Sequence, residues 1–257
     1  MTSISILNSQ LEIKHISGSD HLAPIIFLHE GLGSVSLWAH HEQDWPTAVC
    51  RATGRAGVVY SRRGYGQSEA LAAGRNQLQP DYMHREAWEV LPALLAALKI
   101  NEPVLLGHSD GATIALLYAS RFKVSSCIAM APHVFVEDIA IESIANAKKA
   151  FESGDLRARL AKHHLDVDGA FWQWNDAWLS EGFRSFNIRP DCHTITAPLL
   201  LIQGLNDAYG SMLQLDEIAL AAPQALQVRL DDCGHSPHRD QSFKTLEAVQ
   251  SFLKNAI

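Results

Sequence analysis

The chain has 257 residues, of which 47% are hydrophobic and 19% are charged, and its formal net charge is −7. This length and composition are sufficient for a large buried core, and one α/β domain with an insertion would account for them. The negative charge and the lack of a clustered lysine and arginine run argue against nucleic acid or an anionic membrane surface as a partner.

The N-terminal residues carry no basic segment followed by an apolar one, and no apolar run is long enough to span a bilayer. The four cysteines are widely spaced and form no C-x-x-C pair, which favours a reducing compartment and gives no zinc pattern. We therefore expect a cytoplasmic protein that needs no metal or other cofactor.

Strand-like runs recur along the chain and alternate with helical segments. The first run alternates apolar and polar residues, whereas most of the others are apolar throughout, which is typical of strands covered on both faces. The pattern predicts an α/β fold with a mostly parallel sheet flanked by helices. The predicted strands are residues 11–16, 24–28, 56–60, 104–106, 127–130, 198–202 and 226–230.

Helices are predicted over residues 83–98, directly after Ser109, and over 213–222 and 241–255. The strand signal disappears between about residues 133 and 195, where 139–165 has a helical pattern. We therefore predict a core formed by 1–132 and 196–257, with a helical cap insertion at 133–195. Trp174 and Trp178 in this insertion share a helix face, so they either pack the cap onto the core or line a pocket.

The sequence Gly-His-Ser-Asp-Gly at residues 107–111 lies between an apolar strand and an apolar helix. G-x-S-x-G in that setting is typical of a nucleophile elbow, in which a strained turn exposes the serine hydroxyl at the end of a sheet. Glycines 107 and 111 would be required because strand and helix backbones pass closely there. The alternative is an ordinary turn flanked by glycines.

A serine nucleophile needs a base, and the base needs an acid that orients it. His235 follows the last predicted strand and is the expected base, with His238 as its rival. Asp207 follows the preceding strand and is the expected acid. Glu137 and Asp138 are its rivals, because they follow an earlier strand.

Two backbone N–H groups are needed where the carbonyl oxygen becomes negative. One should belong to Asp110, the residue after the serine. The other should come from the glycine-rich loop at residues 29–34, with Gly31 as first choice and Leu32 as second. The loop could instead cradle a phosphate, but it lacks the G-x-G-x-x-G spacing and a P-loop lysine.

These motifs resemble those of the α/β-hydrolase superfamily over nearly the whole chain, at residues 29–31, 61–68, 107–111, 204–207 and 234–235. The family usually has His-Gly-x in the first motif, so Glu30 is a departure that puts a carboxylate beside the expected oxyanion hole. The resemblance implies a cofactor-free, carboxylesterase-like serine hydrolase that acts through an acyl-enzyme. We expect its substrate to be a small carboxylic ester, lactone or thioester.

Two other functions stay open. A carbon–carbon bond hydrolase of ring-fission products would need groups for a dienoate carboxylate, and Arg62, Arg63 and Arg184 are the candidates. A non-catalytic ligand-binding protein on a hydrolase scaffold is the alternative from another class. The oligomeric state, monomer or homodimer, is also open.

The elbow also resembles that of valacyclovir-hydrolase-like enzymes, in which an acidic side chain near the nucleophile favours substrates with a free amino group. Asp110 could play that role, with Glu30 as a second carboxylate, or Asp110 could simply cap the following helix. The residues expected to line the substrate pocket are Glu30, Leu32, His133, Trp174, Trp178 and Tyr209.

Overall fold

The computed structural model describes residues 2–40, 43–71, 74–75 and 77–255. Within this part of the chain, eight strands form one sheet and two short strands form a separate ribbon. The sheet strands are β1 (Thr2–Ile6), β2 (Ser9–Ile16), β3 (Ile25–Leu28), β6 (Gly57–Tyr60), β7 (Val104–His108), β8 (Ser126–Met130), β9 (Leu199–Gly204) and β10 (Leu226–Leu230), and the ribbon strands are β4 (Ala39–His40) and β5 (Gln43–Asp44).

The sheet has the order β1-β2-β6-β3-β7-β8-β9-β10. From β6 to β10 every neighbouring pair is parallel, while β1 and β2 form an antiparallel hairpin at one edge. This arrangement confirms the predicted α/β fold with a mostly parallel sheet. The carboxyl ends of the parallel strands therefore meet along one edge, where open α/β sheets bind their ligands.

Eleven α-helices lie in the described residues, together with two 3₁₀ segments (Ser36–Trp38 and Glu181–Ser185) and a π-helical turn (Glu86–Val90). They are α1 (Trp45–Thr53), α2 (Tyr82–Arg85), α3 (Leu91–Leu98), α4 (Asp110–Ala119), α5 (Asp138–Ser153), α6 (Leu156–Leu160), α7 (Val167–Leu179), α8 (Arg189–Cys192), α9 (Leu213–Ala221), α10 (Pro237–Asp240) and α11 (Ser242–Asn255). No helix among the described residues is both long and apolar enough to cross a bilayer.

Each central strand contributes to two hydrophobic cores, one on either face of the sheet. In β3, Ile26 and Leu28 belong to the core that contains α4, whereas Ile25 and Phe27 belong to the core against α1 and α11. Successive side chains of a strand point to opposite faces. A strand buried on both faces must therefore be apolar at every position, which is the pattern the sequence shows.

The structure differs from the predicted elements in several places. Helix α1 and the β4–β5 ribbon were not predicted, and the helix predicted over 83–98 is divided by the π-helical turn into α2 and α3. Strand β1 was not predicted; it pairs with β2 through a turn at Leu7 and Asn8, both of which have positive φ. The helical pattern at 139–165 forms two helices, because α5 ends at Ser153 before Gly154, a poor helix former. Helices α5 to α8 occupy the chain between β8 and β9, and the division into core and cap stays a prediction.

Candidate active site

The turn at Ser109 joins the end of β7 to the start of α4. Ser109 has φ 54° and ψ −120°, a conformation that costs a non-glycine residue energy unless its surroundings hold it. Its N–H donates to the Met130 carbonyl of β8 at 2.9 Å. A Cβ at Gly111 would overlap the Leu28 carbonyl, and a Cβ at Gly107 would overlap the Gly111 backbone. The backbone thus passes as closely as the glycine pattern indicates.

The structure brings Ser109, His235 and Asp207 into one hydrogen-bonded row. The Ser109 hydroxyl lies 2.9 Å from His235 Nε2. His235 Nδ1 lies 2.9 Å from each oxygen of the Asp207 carboxylate. Asp207 also accepts from the backbone N–H of Tyr209 at 2.8 Å and from the amide of Gln203 at 3.2 Å. The carboxylate is therefore fixed from several sides and fixes the imidazole in turn.

The surroundings shift the pKa values of this row in opposite directions. Burial alone would lower the pKa of His235, but the hydrogen bond and charge of Asp207, helped by Glu30 and Asp110, raise it above the usual 6.5. Burial alone would raise the pKa of Asp207, but the bond to His235 lowers it. Asp207 is thus an anion that stabilises the imidazolium, as an orienting acid must.

The rival residues lie elsewhere. The buried His238 ring packs against Trp38 and Trp45. Glu137 accepts from the N–H and hydroxyl of Ser211 at 2.9 and 2.6 Å, and Asp138 is exposed at the start of α5. Among the described residues, neither carboxylate is hydrogen-bonded to His235.

The backbone N–H groups of Gly31 and Asp110 are candidates for an oxyanion hole. Both residues line the same cavity as Ser109, and among the described residues no hydrogen bond occupies either N–H. A Cβ at Gly31 would overlap the indole of Trp174 on α7. The carbonyl of the next residue, Leu32, accepts from Nε2 of His164 at 3.0 Å, so residues between β8 and β9 contact this loop twice.

A cavity of about 280 Å³ opens above Ser109 and His235. All six residues expected to line the pocket do line it: Glu30, Leu32, His133, Trp174, Trp178 and Tyr209. Sequence reasoning missed six others, Leu37, Ile144, Leu156, Leu160, Ser236 and Arg239. The three from α5 and α6 have the helical spacing of ordinary core residues, so nothing in the sequence singles them out.

Two carboxylates beside the cavity are engaged by protein groups. Glu30 lies 3.5 Å from His108 Nδ1 and 3.4 Å from Arg239 Nη2. Burial would raise the pKa of Glu30, but these neighbours lower it, which keeps the carboxylate ionised. Asp110 accepts from the Tyr82 hydroxyl at 2.5 Å and the Trp178 indole at 3.3 Å. Asp110 is the first residue of α4, and among the described residues no hydrogen bond from a backbone N–H to its carboxylate supports the interpretation of Asp110 as a helix cap.

The arginines considered for a dienoate carboxylate do not face this cavity. Arg62 is buried beside Asp110, at 3.6 Å from its carboxylate. Arg63 pairs with Glu69 at the surface, and Arg184 is exposed. Among the described residues the cavity is instead lined by Arg239, whose charge is opposed by Glu30. The described residues also hold no cluster of three histidine, cysteine or acidic side chains suited to a metal ion.

Comparison with known proteins identifies relatives of the whole chain. The chain is 24% identical over 270 residues to the sn-1-specific diacylglycerol lipase ABHD11 of Mus musculus, covering 93% of this chain and 83% of that protein. Its structure is similar to an enol-lactonase from Burkholderia xenovorans LB400 (TM-score 0.75, 18% identity, 99% of this chain and all of that one). It is also similar to the meta-cleavage product hydrolase CumD from Pseudomonas fluorescens IP01, with a TM-score of 0.73 and 16% identity. That match covers 100% of this chain and 98% of the other.

At these identities the structural similarities show a shared fold. The model of the alpha/beta hydrolase family matches residues 25–248, which include the elbow, the candidate acid and the candidate base. Family membership supports hydrolase activity, as the resemblance of the motifs implied. The chain belongs to the alpha/beta hydrolase family.

Proposed function

We propose that the protein is a serine hydrolase that cleaves small, uncharged carboxylic esters through an acyl-enzyme. The observation that carries the proposal is the unbroken row from the Ser109 hydroxyl through His235 to Asp207, at the floor of a cavity. Both hydrogen bonds are 2.9 Å long. At this distance His235 can take the proton of Ser109, and Asp207 can hold the imidazole in place.

The reaction follows from this geometry. His235 Nε2 takes the Ser109 hydroxyl proton while the oxygen attacks the ester carbonyl carbon. The carbonyl oxygen becomes negative and accepts hydrogen bonds from the backbone N–H groups of Gly31 and Asp110. When the carbon–oxygen bond to the alcohol breaks, His235 returns the proton to the leaving alkoxide. Water then attacks the acyl-enzyme with His235 again as base, and the acid is released.

The cavity favours a small apolar substrate. Its volume of about 280 Å³ is at the lower end for ligand sites. Leucines 32, 156 and 160 and Ile144 provide apolar walls. Arg239 could attract an anion, but Glu30 lies 3.4 Å from it and offsets its charge. This pairing favours a neutral ester over the dienoate of a carbon–carbon bond hydrolase.

The test is hydrolysis of p-nitrophenyl acetate and butyrate by wild type and by Ser109→Ala, purified identically. Serine acyl transfer predicts turnover that falls by at least about 10³-fold in the variant. Equal rates in both proteins would exclude Ser109 as the nucleophile. Folded wild type without turnover would exclude the esterase and favour carbon–carbon hydrolysis or ligand binding in its place. Turnover of a coloured meta-cleavage product instead of esters would favour carbon–carbon hydrolysis.

A further inference from the structure

The carbonyl group of Glu30 is held by three donors. It accepts from His29 Nδ1 at 2.6 Å, from Arg62 Nη2 at 2.8 Å and from the N–H of Gly33 at 3.0 Å. Burial lowers the pKa of His29, so the ring is neutral, and its Nε2 accepts from the backbone N–H of Arg62 at 3.0 Å. The ring tautomer is therefore set, with the proton on Nδ1 facing the Glu30 carbonyl.

This carbonyl and the N–H of Gly31 belong to the same peptide. In a trans peptide the carbonyl and the N–H point in opposite directions. The described residues contain no cis peptide. Donors that fix the direction of the Glu30 carbonyl therefore also fix the direction of the Gly31 N–H, one of the two proposed oxyanion donors.

The same guanidinium reaches the second donor residue. Arg62 Nη1 lies 3.6 Å from the carboxylate of Asp110, whose own N–H is the other proposed donor. The side chains of Arg62 and Asp110 are 5% and 1% exposed, so solvent does not screen this pair. One buried guanidinium thus contacts the peptide that carries the Gly31 N–H and the side chain of Asp110, and it does not line the cavity itself.

We infer that Arg62 is the positioning residue of the oxyanion hole, because its guanidinium sets the direction of the Gly31 N–H and ties this loop to Asp110. The inference rests on the proposed function and deepens it. Arg62 contacts no substrate; it acts through the peptide and the carboxylate that it holds. A planar fork with two separated donors is required for this, and a lysine ammonium, a single point charge, does not supply it.

The test compares Arg62→Lys with the matched control Arg63→Gln, which alters the neighbouring surface arginine. For butyrate ester hydrolysis, Arg62→Lys should lower kcat about 10-fold and leave KM within about 2-fold, since misplaced oxyanion donors weaken the transition state more than the bound ester. Affinity for an alkylboronic acid, which forms a tetrahedral adduct with the serine, should fall in parallel with kcat/KM. The control should stay within about 2-fold of wild type in every assay.

A double variant protects the test against misfolding. Arg62→Met combined with Asp110→Asn removes both buried charges together, so that neither is left unpaired. It still lacks the donor to the Glu30 carbonyl, and its kcat should be at least about 10-fold below wild type. Thermal unfolding identifies which variants are folded.

Labelling of Ser109 by a fluorophosphonate separates the two levels of the proposal. Wild type that is labelled at Ser109, with slower labelling of both Arg62 variants, supports the positioning role. Labelling and turnover of Arg62→Lys at wild-type rates, or a rise in KM alone, would overturn it. Wild type that is not labelled would instead contradict the proposed function itself, and the inference with it.

Discussion

The two peptides proposed to bind the oxyanion are held in different ways. At the elbow, the Ser109 carbonyl accepts from the N–H groups of Ala112 and Thr113 at 2.9 and 3.0 Å, so the first turn of α4 fixes the Asp110 N–H. In the loop after β3, two of the three donors to the Glu30 carbonyl are the side chains of His29 and Arg62. Backbone hydrogen bonds alone fix one donor, whereas two side chains and one backbone N–H fix the other.

This difference decides which changes each peptide can tolerate. The elbow depends on space for the backbone, so it should be broken by any added atom at its glycines. The loop depends in part on Arg62 and His164, which come from other segments, so it should be weakened by changes distant from it in sequence. Four variants or conditions test this contrast.

The largest effect is expected from Gly111→Ala. The new Cβ would overlap the Leu28 carbonyl, so α4 and β3 would have to separate. We expect esterase kcat to fall by about 10³-fold, as for loss of the oxyanion contact, and the free energy of unfolding to fall by about 2 kcal/mol. Steady-state kinetics measure kcat, and urea unfolding measures the free energy of unfolding. Wild-type values of both would show that the elbow can accommodate a Cβ at position 111.

Low pH should reduce activity independently of the two peptides, because it protonates His235, the proposed base. The pKa of His235 is raised above 6.5, and the base must be neutral, so activity is lost as pH falls through that raised pKa. The kcat/KM at pH 5 should therefore be lower than at pH 8 by more than about 30-fold. A flat profile between pH 5 and 8, with enzyme shown to be folded throughout, would mean that His235 is not the base.

Gly31→Ala tests the loop from the cavity side. Its Cβ would overlap the Trp174 indole, so the loop or α7 must shift. Because an indole can move more easily than a backbone, we expect kcat to fall only about 10-fold, less than for Gly111→Ala. The matched double variant with Trp174→Ala should recover part of the loss, and a double-mutant cycle with no coupling would argue against this contact.

The smallest effect is expected at His164, which accepts from the Gly66 N–H and donates to the Leu32 carbonyl, each at 3.0 Å. In His164→Asn the side-chain amide lies near the position of Nδ1, which accepts from Gly66. In His164→Gln it reaches the position of Nε2, which donates to Leu32. His164→Asn should lower kcat about 3- to 5-fold, whereas His164→Gln, which keeps the donor to Leu32, should stay closer to wild type. His193→Ala, which changes an exposed histidine between β8 and β9, is the control and should stay at wild-type kcat. Equal losses in the two His164 variants would contradict a role for the Leu32 bond.

The contrast also explains how far the sequence could lead. Ser109, Asp207 and His235 each follow a strand at the carboxyl edge of a parallel sheet, and the glycines of the elbow reflect a local steric need. These signals are short and local, so the fold and the candidate row were predictable.

The loop network was not predictable in this way. Arg62 was considered only as a ligand for a substrate carboxylate, because a contact with a backbone carbonyl 32 positions away leaves no periodicity or spacing in the sequence. Arg239 was not predicted to line the cavity for a similar reason. Helix α10 has only four residues, too few for a periodic pattern that would indicate which side chains face the cavity. Long-range side-chain contacts to the backbone depend on the assembled fold.

The most direct test of the proposed chemistry is to trap the acyl-enzyme. Wild type mixed with p-nitrophenyl butyrate and quenched in acid within the first turnovers should carry a butyryl group on Ser109, located by peptide mass mapping, and Ser109→Ala should carry none. A butyryl group on another residue, or full turnover by wild type with no covalent intermediate and equal rates in Ser109→Ala, would contradict the account.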